Sequence, residues 1–349
     1  MVKRWCEKRI DSWETELATR STDRIVRPFD WGEEWADNWP VKSLIQSPEL
    51  RLQDLNRKIV EQSEEFFAYR GPTDFHFENG ELQFTSPVKT PYPANNTVHA
   101  RWFPAHPRWQ RKNQRGNKAV VLLPHWNSSP QQHVALCQGI AKLGISALRI
   151  SLPYHDKRMP PELTRADYAV SSNIGRTIDA TRQAVIDVRA CYDWLQQQGF
   201  TDLGLVGTSL GSAYGFLASA HDDRIKCNVF NHVSTYFADV VWQGLSTRHI
   251  RAGIEDEIDI DRLRLSWNCL SPINYMDRFA KRGVKSFFLY GTYDTTFPPE
   301  LSKQIIDRVK ERGLKHKVVV MPCGHYTLGE SPFKFMAGYH IINFLKRNL

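Results

Sequence analysis

Apolar and polar residues follow two periods along most of the chain. From about residue 75 onward, short runs of apolar residues are separated by amphipathic segments with helical spacing. The runs are apolar on both faces, as in strands that helices cover on both sides. We interpret six of them as strands: KAVVLLP, SALRISLP, LGLVGTS, KCNVFNHV, KSFFLYGT and HKVVVMP. This alternation predicts an α/β fold with a mostly parallel, doubly wound sheet.

The first seventy residues have a different pattern. The segment SPELRLQDLNRKIVEQSEEFF begins with Ser-Pro-Glu and carries apolar residues at helical spacing, which predicts a helix. Next, DFHFENGELQFTS alternates around Asn79-Gly80 and predicts a hairpin, and TVHARWFP predicts one more strand. We expect a helical extension over residues 1–70, without a recognisable chemical motif, and an α/β-domain over residues 71–349.

A long interval separates two of the predicted strands. About fifty residues, 234–283, lie between KCNVFNHV and KSFFLYGT, which is too long for a simple crossover. We therefore predict a helical insertion here, placed where it can cover the mouth of an active site.

Composition excludes some classes of function. The chain has 349 residues, of which 41% are hydrophobic and 24% charged, as in ordinary globular proteins. Its net charge of +8 is mild for this length and does not indicate a dedicated nucleic-acid-binding protein.

One segment concentrates basic residues. Arg101 to Lys118 contains six Lys or Arg among Trp and Pro, which suggests contact with a nucleic acid or a membrane. The segment enters a strand, so it should lie at the end of the sheet opposite the loops that carry chemistry. We expect a solvated connection, with weak contact to an anionic membrane surface as the alternative.

Cysteine spacing and the N-terminus bear on localisation. The six cysteines are scattered, form no C-x-x-C pair and fall mostly in apolar segments, which favours a reducing compartment. The N-terminus lacks the apolar run of a signal peptide, and no stretch is apolar enough over about 18 residues to span a bilayer. We expect a cytoplasmic protein.

A serine between two glycines carries the chemical signal. Ser209 stands in GTSLG, between an apolar strand and a helix of small residues. At a sharp strand-to-helix turn, only very small residues fit two positions before and after the nucleophile, and Gly207 and Gly211 meet that demand. The alternative is a glycine-rich turn with an incidental serine. A nucleotide-binding loop is excluded because neither G-x-G-x-x-G nor a G-K-[ST] ending is present.

A serine nucleophile needs a base and an acid that orients it. Asp294 follows the strand FFLYGT, and His325 follows the last strand. The carboxyl ends of parallel strands meet at one edge of the sheet, so these side chains can converge with Ser209. Asp239 is the reserve candidate for the acid, and His316 lies at the wrong end of its strand.

An oxyanion hole requires two N–H donors. The first should be the backbone N–H of Leu210, the residue after the nucleophile. The second should come from the loop LLPHWNSSP, where His125, Trp126 and Asn127 follow the strand directly. The pattern leaves open whether Trp126 or Asn127 presents the N–H, and Trp126 can instead simply pack at the rim of the pocket.

These motifs together resemble the α/β-hydrolase superfamily, from about Phe75 to Leu349. The resemblance rests on GTSLG, YGTYDTTFPP, CGHYTL and LPHWN. QAVIDVRACYDWL and SPINYMDRF are similar to the dienelactone-hydrolase and acyl-peptidase branch. LPYHDKRMP, together with STYFADVVWQGLSTRHIR, is similar to the α/β-hydrolase-domain-18 family.

The resemblance implies a mechanism and a set of site residues. Ser209 would attack an acyl carbonyl, His325 would shuttle the proton and Asp294 would orient His325, with no metal or organic cofactor. His125, Tyr154 and His155 follow strands of the sheet and would contact substrate. As alternatives, Tyr154 can merely pack and His155 can be solvated.

Three functions from different classes remain open. We favour a serine esterase acting on a small or medium carboxylic ester. A lipid acyl hydrolase or an acyl-peptidase is the second, and the apolar segment FADVVWQGL is compatible with a lipase lid. A non-catalytic binding protein on a hydrolase fold is the third, although it would have no need of Ser209, Asp294 and His325 together.

Overall fold

One mixed sheet lies at the centre of the protein. The computed structural model describes residues 2–106 and 117–349, and within them nine strands form a single sheet in the order β1-β2-β3-β5-β4-β6-β7-β8-β9. The strands are β1 (His76–Glu78), β2 (Glu81–Thr85), β3 (Thr97–Phe103), β4 (Lys118–Leu123), β5 (Ser146–Ile150), β6 (Asp202–Thr208), β7 (Ile225–Asn231), β8 (Lys285–Gly291) and β9 (His316–Met321).

The strand directions confirm the predicted fold class. Strands β4 to β9 are mutually parallel, whereas β1, β2 and β3 continue the sheet as an antiparallel edge. Asn79 and Gly80 connect β1 to β2, and both have positive φ, 51° and 78°, as the favoured two-residue hairpin turn requires. The six strands interpreted from apolar runs are all present.

Helices precede the first strand, connect most of the parallel strands and follow the last strand. They are α1 (Val2–Thr19), α2 (Pro48–Glu61), α3 (Ser63–Phe66), α4 (Val134–Lys142), α5 (Ile174–Gln197), α6 (Leu210–His221), α7 (Phe237–Gln243), α8 (Arg248–Ala252), α9 (Ile260–Ser266), α10 (Met276–Arg282), α11 (Pro299–Glu311) and α12 (Phe333–Asn348). Local signals fix some boundaries. Asn173 caps α5 by accepting the N–H of Arg176 at 2.8 Å, and Pro48 occupies the first turn of α2.

Both faces of the central strands are buried. Along β4, Val120 and Leu122 pack on one side with α4 and α12, and Val121 and Leu123 pack on the other side with α5 and α6. The exception is the edge strand β9, where the prediction of full burial is wrong and Val320 is 48% exposed. At the edge of the sheet the flanking helices leave part of the strand to water.

The N-terminal segment packs into the core that the α/β-domain forms. Trp39, Leu52 and Phe66 are buried in the same apolar cluster as α5 and α6. Trp39 Nε1 also donates a hydrogen bond to Asp179 Oδ1 on α5, at 2.9 Å. The long α-helices of the extension are at its ends, and Pro28 and Gly32 lie in the irregular stretch between them.

Helices α7 to α10 lie within residues 234–283; residues 245–249 contact loops at the carboxyl edge of the sheet, whereas α10 ends at the amino end of β8. The N–H of Leu245 donates to the carbonyl of Thr295 after β8, at 2.8 Å. His249 of α8 stacks on Trp126 after β4, with ring centroids 5.8 Å apart. This segment therefore contacts loops from two different strand ends.

Three of the sequence predictions concern surfaces and localisation. Most of the basic segment Arg101 to Lys118 lies outside the described residues, so its solvated character stays a prediction. The five cysteines whose side chains are described are buried and free. In the described part of the chain, none of the helices has the length and apolar character needed to cross a membrane.

Candidate active site

Ser209 lies on a sharp turn between β6 and α6. Its backbone has φ 57° and ψ −120°, a strained combination for a non-glycine residue. A Cβ on Gly207 would lie 2.6 Å from the carbonyl oxygen of Gly211, and a Cβ on Gly211 would lie 2.4 Å from that of Leu123. Both positions therefore require glycine because backbone approaches too closely for any side chain.

A chain of hydrogen bonds joins three side chains from three strand ends. His325 Nε2 lies 3.1 Å from Ser209 Oγ, and His325 Nδ1 lies 3.1 Å from Asp294 Oδ2. Because the aspartate accepts, the Nδ1 of neutral His325 carries the proton and Nε2 is left to accept from the serine. The arrangement can withdraw a proton from Ser209.

Asp294 is held as a carboxylate. Its Oδ1 accepts the N–H groups of Thr296 at 2.8 Å and Phe297 at 2.6 Å. Burial by itself would raise the pKa of Asp294, but His325 and His232 outweigh it and hold that pKa well below its usual value. The side chain therefore presents a fixed negative charge to His325.

The sequence analysis missed His232, a second histidine at Asp294. His232 follows β7, and its Nδ1 lies 2.6 Å from Asp294 Oδ2, the oxygen that also contacts His325. Its position directly after a parallel strand was the available signal. Among the described residues, His232, Asp294 and His325 are also the group with ligand atoms close enough to hold a metal ion, all within 4.8 Å.

The predicted oxyanion donors have different surroundings. The N–H of Leu210 begins α6 and so has no acceptor within the helix. The N–H of Asn127 donates to His155 Nε2 at 2.9 Å, and its side-chain oxygen accepts the N–H of Ala166 at 2.7 Å. With the N–H of Asn127 engaged, Trp126 becomes the better candidate for the second donor.

Tyr154 and His155 are buried rather than open to substrate. The ring of Tyr154 packs against Tyr92 and Tyr168, and its N–H donates to Asn95 Oδ1. His155 uses both ring nitrogens, Nδ1 with the carbonyl of Pro153 and Nε2 with Asn127. Their placement does not support the expected contact with substrate.

His125 lies closer to the reacting groups. It is half-buried on the loop after β4, with its ring 5.0 Å from that of His133. Burial, together with the neighbouring His133 and His325, lowers the pKa of His125 well below its usual value. His125 is therefore neutral near pH 7 and can serve as a hydrogen-bonding group.

The competing candidates lie elsewhere. Asp239, the reserve acid, is paired with Arg264 of α9 through both carboxylate oxygens. His316 begins β9, at the edge of the sheet opposite His325, and its Nδ1 contacts the carbonyl of Leu314. The structure brings neither of them to Ser209.

A cavity of about 350 Å³ lies between the end of α1 and α8, and the residues that line it do not include Ser209, Asp294 or His325. Arg24, which lines it, places its Nη2 3.3 Å from the hydroxyl of Tyr326, the residue after His325. The lining also includes His249, whose ring stacks on Trp126. The residues around the cavity are Thr19, Ser21, Thr22, Arg24, Arg248, His249 and Ala252.

Solved structures of similar shape are hydrolases. An acylaminoacyl peptidase from Pyrococcus horikoshii is similar over 81% of this chain, with a TM-score of 0.55 and 11% identity. An esterase from Pyrococcus furiosus is similar over 80%, with a TM-score of 0.52 and 15% identity. An acetyl xylan esterase from Paenibacillus is similar over 89%, with a TM-score of 0.53 and 12% identity. The chain has the α/β-hydrolase fold.

The α/β-hydrolase fold explains where the site lies, because the loops after parallel strands meet at one edge. The chain spans 50% of the length of the P. horikoshii peptidase, but 98% of the P. furiosus esterase and 98% of the acetyl xylan esterase. No protein-family model and no curated protein matches the sequence, so the narrower resemblances stay predictions.

Proposed function

We propose that this protein is a serine hydrolase that cleaves a small or medium carboxylic ester through an acyl-enzyme intermediate. The observation that carries the proposal is the hydrogen-bond chain from Ser209 Oγ through His325 to Asp294. The strained turn at Ser209 and the α/β-hydrolase fold support it. A purely non-catalytic role would leave this aligned set of three side chains without a purpose.

The proposed reaction has two halves. As the oxygen of Ser209 attacks the ester carbonyl, its proton passes to His325 Nε2, and the N–H groups of Leu210 and Trp126 stabilise the oxyanion. His325 then gives that proton to the leaving alcohol, and the acyl group stays on Ser209. In the second half, water gives a proton to His325 and attacks the acyl carbonyl. The bond between the acyl carbon and Ser209 Oγ then breaks, His325 returns the proton to that oxygen, and the carboxylic acid leaves.

The surroundings of the site favour small substrates over long lipids. Ser209 is only 6% exposed, so little of its surface is accessible to a bulky substrate. The apolar residues of α7 face inward, and Phe237, Val240 and Val241 are buried, whereas an interfacial lid would present them to a lipid surface.

A chain-length series tests the proposed substrate class. With p-nitrophenyl esters from acetate to palmitate, we expect kcat/KM to be highest for acyl chains of a few carbons and to fall for long chains, because Ser209 is largely buried and α7 presents no apolar face to a long chain. Initial rates on monomeric substrate measure the profile. A maximum at palmitate would favour the lipid hydrolase, and cleavage of N-acyl-peptides without ester hydrolysis would favour the acyl-peptidase.

A further inference from the structure

A carboxylate from the N-terminal helix lies buried beneath the active site. Glu14 of α1 has no exposed surface, although Asp11 and Glu16 on the same helix are exposed. Burying a charge is costly unless it is paired or hydrogen-bonded, so a buried glutamate needs a specific set of partners. Those partners lie on the loop that carries His325.

The carboxylate of Glu14 accepts hydrogen bonds from the two residues that follow His325. Its oxygens accept the N–H of Tyr326 at 3.0 and 3.1 Å and the N–H of Thr327 at 2.9 Å. The hydroxyl of Thr327 also donates to it at 3.0 Å, while accepting the N–H of Gly324 at 2.7 Å. The backbone after His325 is thereby bonded directly to Glu14, and the backbone before His325 is linked to Glu14 through the Thr327 hydroxyl.

Two further contacts show how closely Glu14 fits the site. A Cβ on Gly324 would lie 2.2 Å from the Cδ of Glu14, so the glycine before His325 leaves the space that the carboxylate occupies. On the other side, the hydroxyl of Thr295 donates to Glu14 Oε1 at 3.5 Å. Thr295 follows Asp294, so Glu14 contacts the loops of both the acid and the base.

We propose that Glu14 is a positioning residue of the active site: it holds the His325 loop in register with Ser209 and Asp294, and its charge favours the protonated His325 that forms during the reaction. This inference rests on the proposed function. It also gives the N-terminal segment a role, because α1 completes the site rather than merely covering the domain.

The electrostatic part of the proposal follows from the groups around His325. Burial opposes protonation of His325, but Asp294 and then Glu14 favour it, and the pKa of His325 is raised above its usual value. Removing the charge of Glu14 should therefore lower that pKa. The titratable groups that face His325 are Asp294, His232, His125, Tyr326 and Glu14.

The test compares Glu14→Gln with Glu16→Gln, which removes the same charge from an exposed position of the same helix. For Glu14→Gln, we expect kcat/KM for p-nitrophenyl acetate to fall about 10- to 100-fold because the loop is displaced. The acid limb of its pH profile should move to lower pH by about 0.5–1 unit, because a base with a lower pKa stays deprotonated in more acidic solution. Glu16→Gln should match wild type in both.

A second readout does not depend on activity. In protein labelled with ¹³C at histidine Cε1, with the signal assigned from His325→Gln, His325 should titrate at lower pH in Glu14→Gln than in wild type. Glu14→Asp keeps the charge but shortens the side chain, so His325 should titrate near the wild-type pH while kcat/KM still falls.

If the protein hydrolyses no ester, the proposed function fails and this titration still tests the role of Glu14. Coincident titration of His325 in wild type and Glu14→Gln would overturn the inference.

Discussion

Replacing Ser209 with alanine should lower kcat for p-nitrophenyl acetate by about 10⁴- to 10⁶-fold while leaving the fold intact. The reason is geometric. His325 Nε2 lies 3.1 Å from Ser209 Oγ, so the hydroxyl is the only group in this hydrogen-bond chain able to form the acyl-enzyme. Alanine removes that oxygen and adds no new contact. Single-turnover and steady-state rates measure the loss.

The matched control is Ser219→Ala. Ser219 lies in α6, the helix that follows Ser209, is also buried, and accepts a hydrogen bond from Asn228. Because its hydroxyl has no partner among the reacting groups, the variant should retain activity close to wild type. If Ser209→Ala kept more than about a tenth of wild-type kcat, the nucleophile would have to be sought elsewhere.

The largest expected effect on stability concerns a buried ion pair behind the site. Arg158 and Asp187 are fully buried, with Arg158 Nη2 2.8 Å from Asp187 Oδ2. Arg158 also donates to the carbonyls of Ser151 and Asn95, so it joins α5 to the loop after β5. Arg158→Met should reduce the free energy of unfolding by about 3–5 kcal/mol, because it leaves a buried carboxylate without its partner. Urea denaturation measures this difference.

Two further variants test whether the loss of stability comes from the buried ion pair. Lys226→Met removes a cation from an exposed pair with Asp202 and should change the free energy of unfolding by at most about 1 kcal/mol. The double variant Arg158→Met/Asp187→Leu should regain part of the loss, since it removes both charges. A destabilisation by Arg158→Met no larger than that by Lys226→Met would contradict the assignment.

The hydrogen bonds around Arg158 extend to the loop after β4, which is proposed to carry the second oxyanion donor. Asn95, which accepts from Arg158, also accepts the N–H of Tyr154 through its side-chain oxygen. The next residue, His155, accepts the N–H of Asn127. Tyr154 and His155 therefore connect the interior of the protein to the loop after β4; packing of Tyr154 was one of the sequence-based alternatives, whereas His155 is buried rather than solvated.

Strand-end residues were predictable because their geometry follows from topology. Apolar runs located β6, β8 and β9, and the polar residues just past them, Ser209, Asp294 and His325, necessarily lie at one edge of a parallel sheet. His232 follows β7 in the same way. Because His325 already supplied the one base that a serine nucleophile needs, the sequence gave no reason to assign a second histidine to Asp294.

Two other features of the site could not be predicted from the sequence, because they depend on contacts between residues that are distant along the chain. Glu14 lies on an amphipathic helix with neighbouring exposed acids, and only its docking against Gly324 distinguishes it from Glu16. That the N–H of Asn127 is already hydrogen-bonded likewise depends on a partner, His155, that is distant in sequence. Periodicity identifies which face of an element is buried, but not which element covers it.

The account depends most directly on Ser209 being a reactive nucleophile. The decisive measurement is intact-mass and peptide analysis after treatment of the folded protein with a fluorophosphonate probe. We predict one adduct per chain, located on Ser209, with labelling lost in Ser209→Ala and retained in Ser219→Ala. Absence of any adduct on folded wild-type protein, or an adduct at another residue that persists in Ser209→Ala, would contradict the central claim.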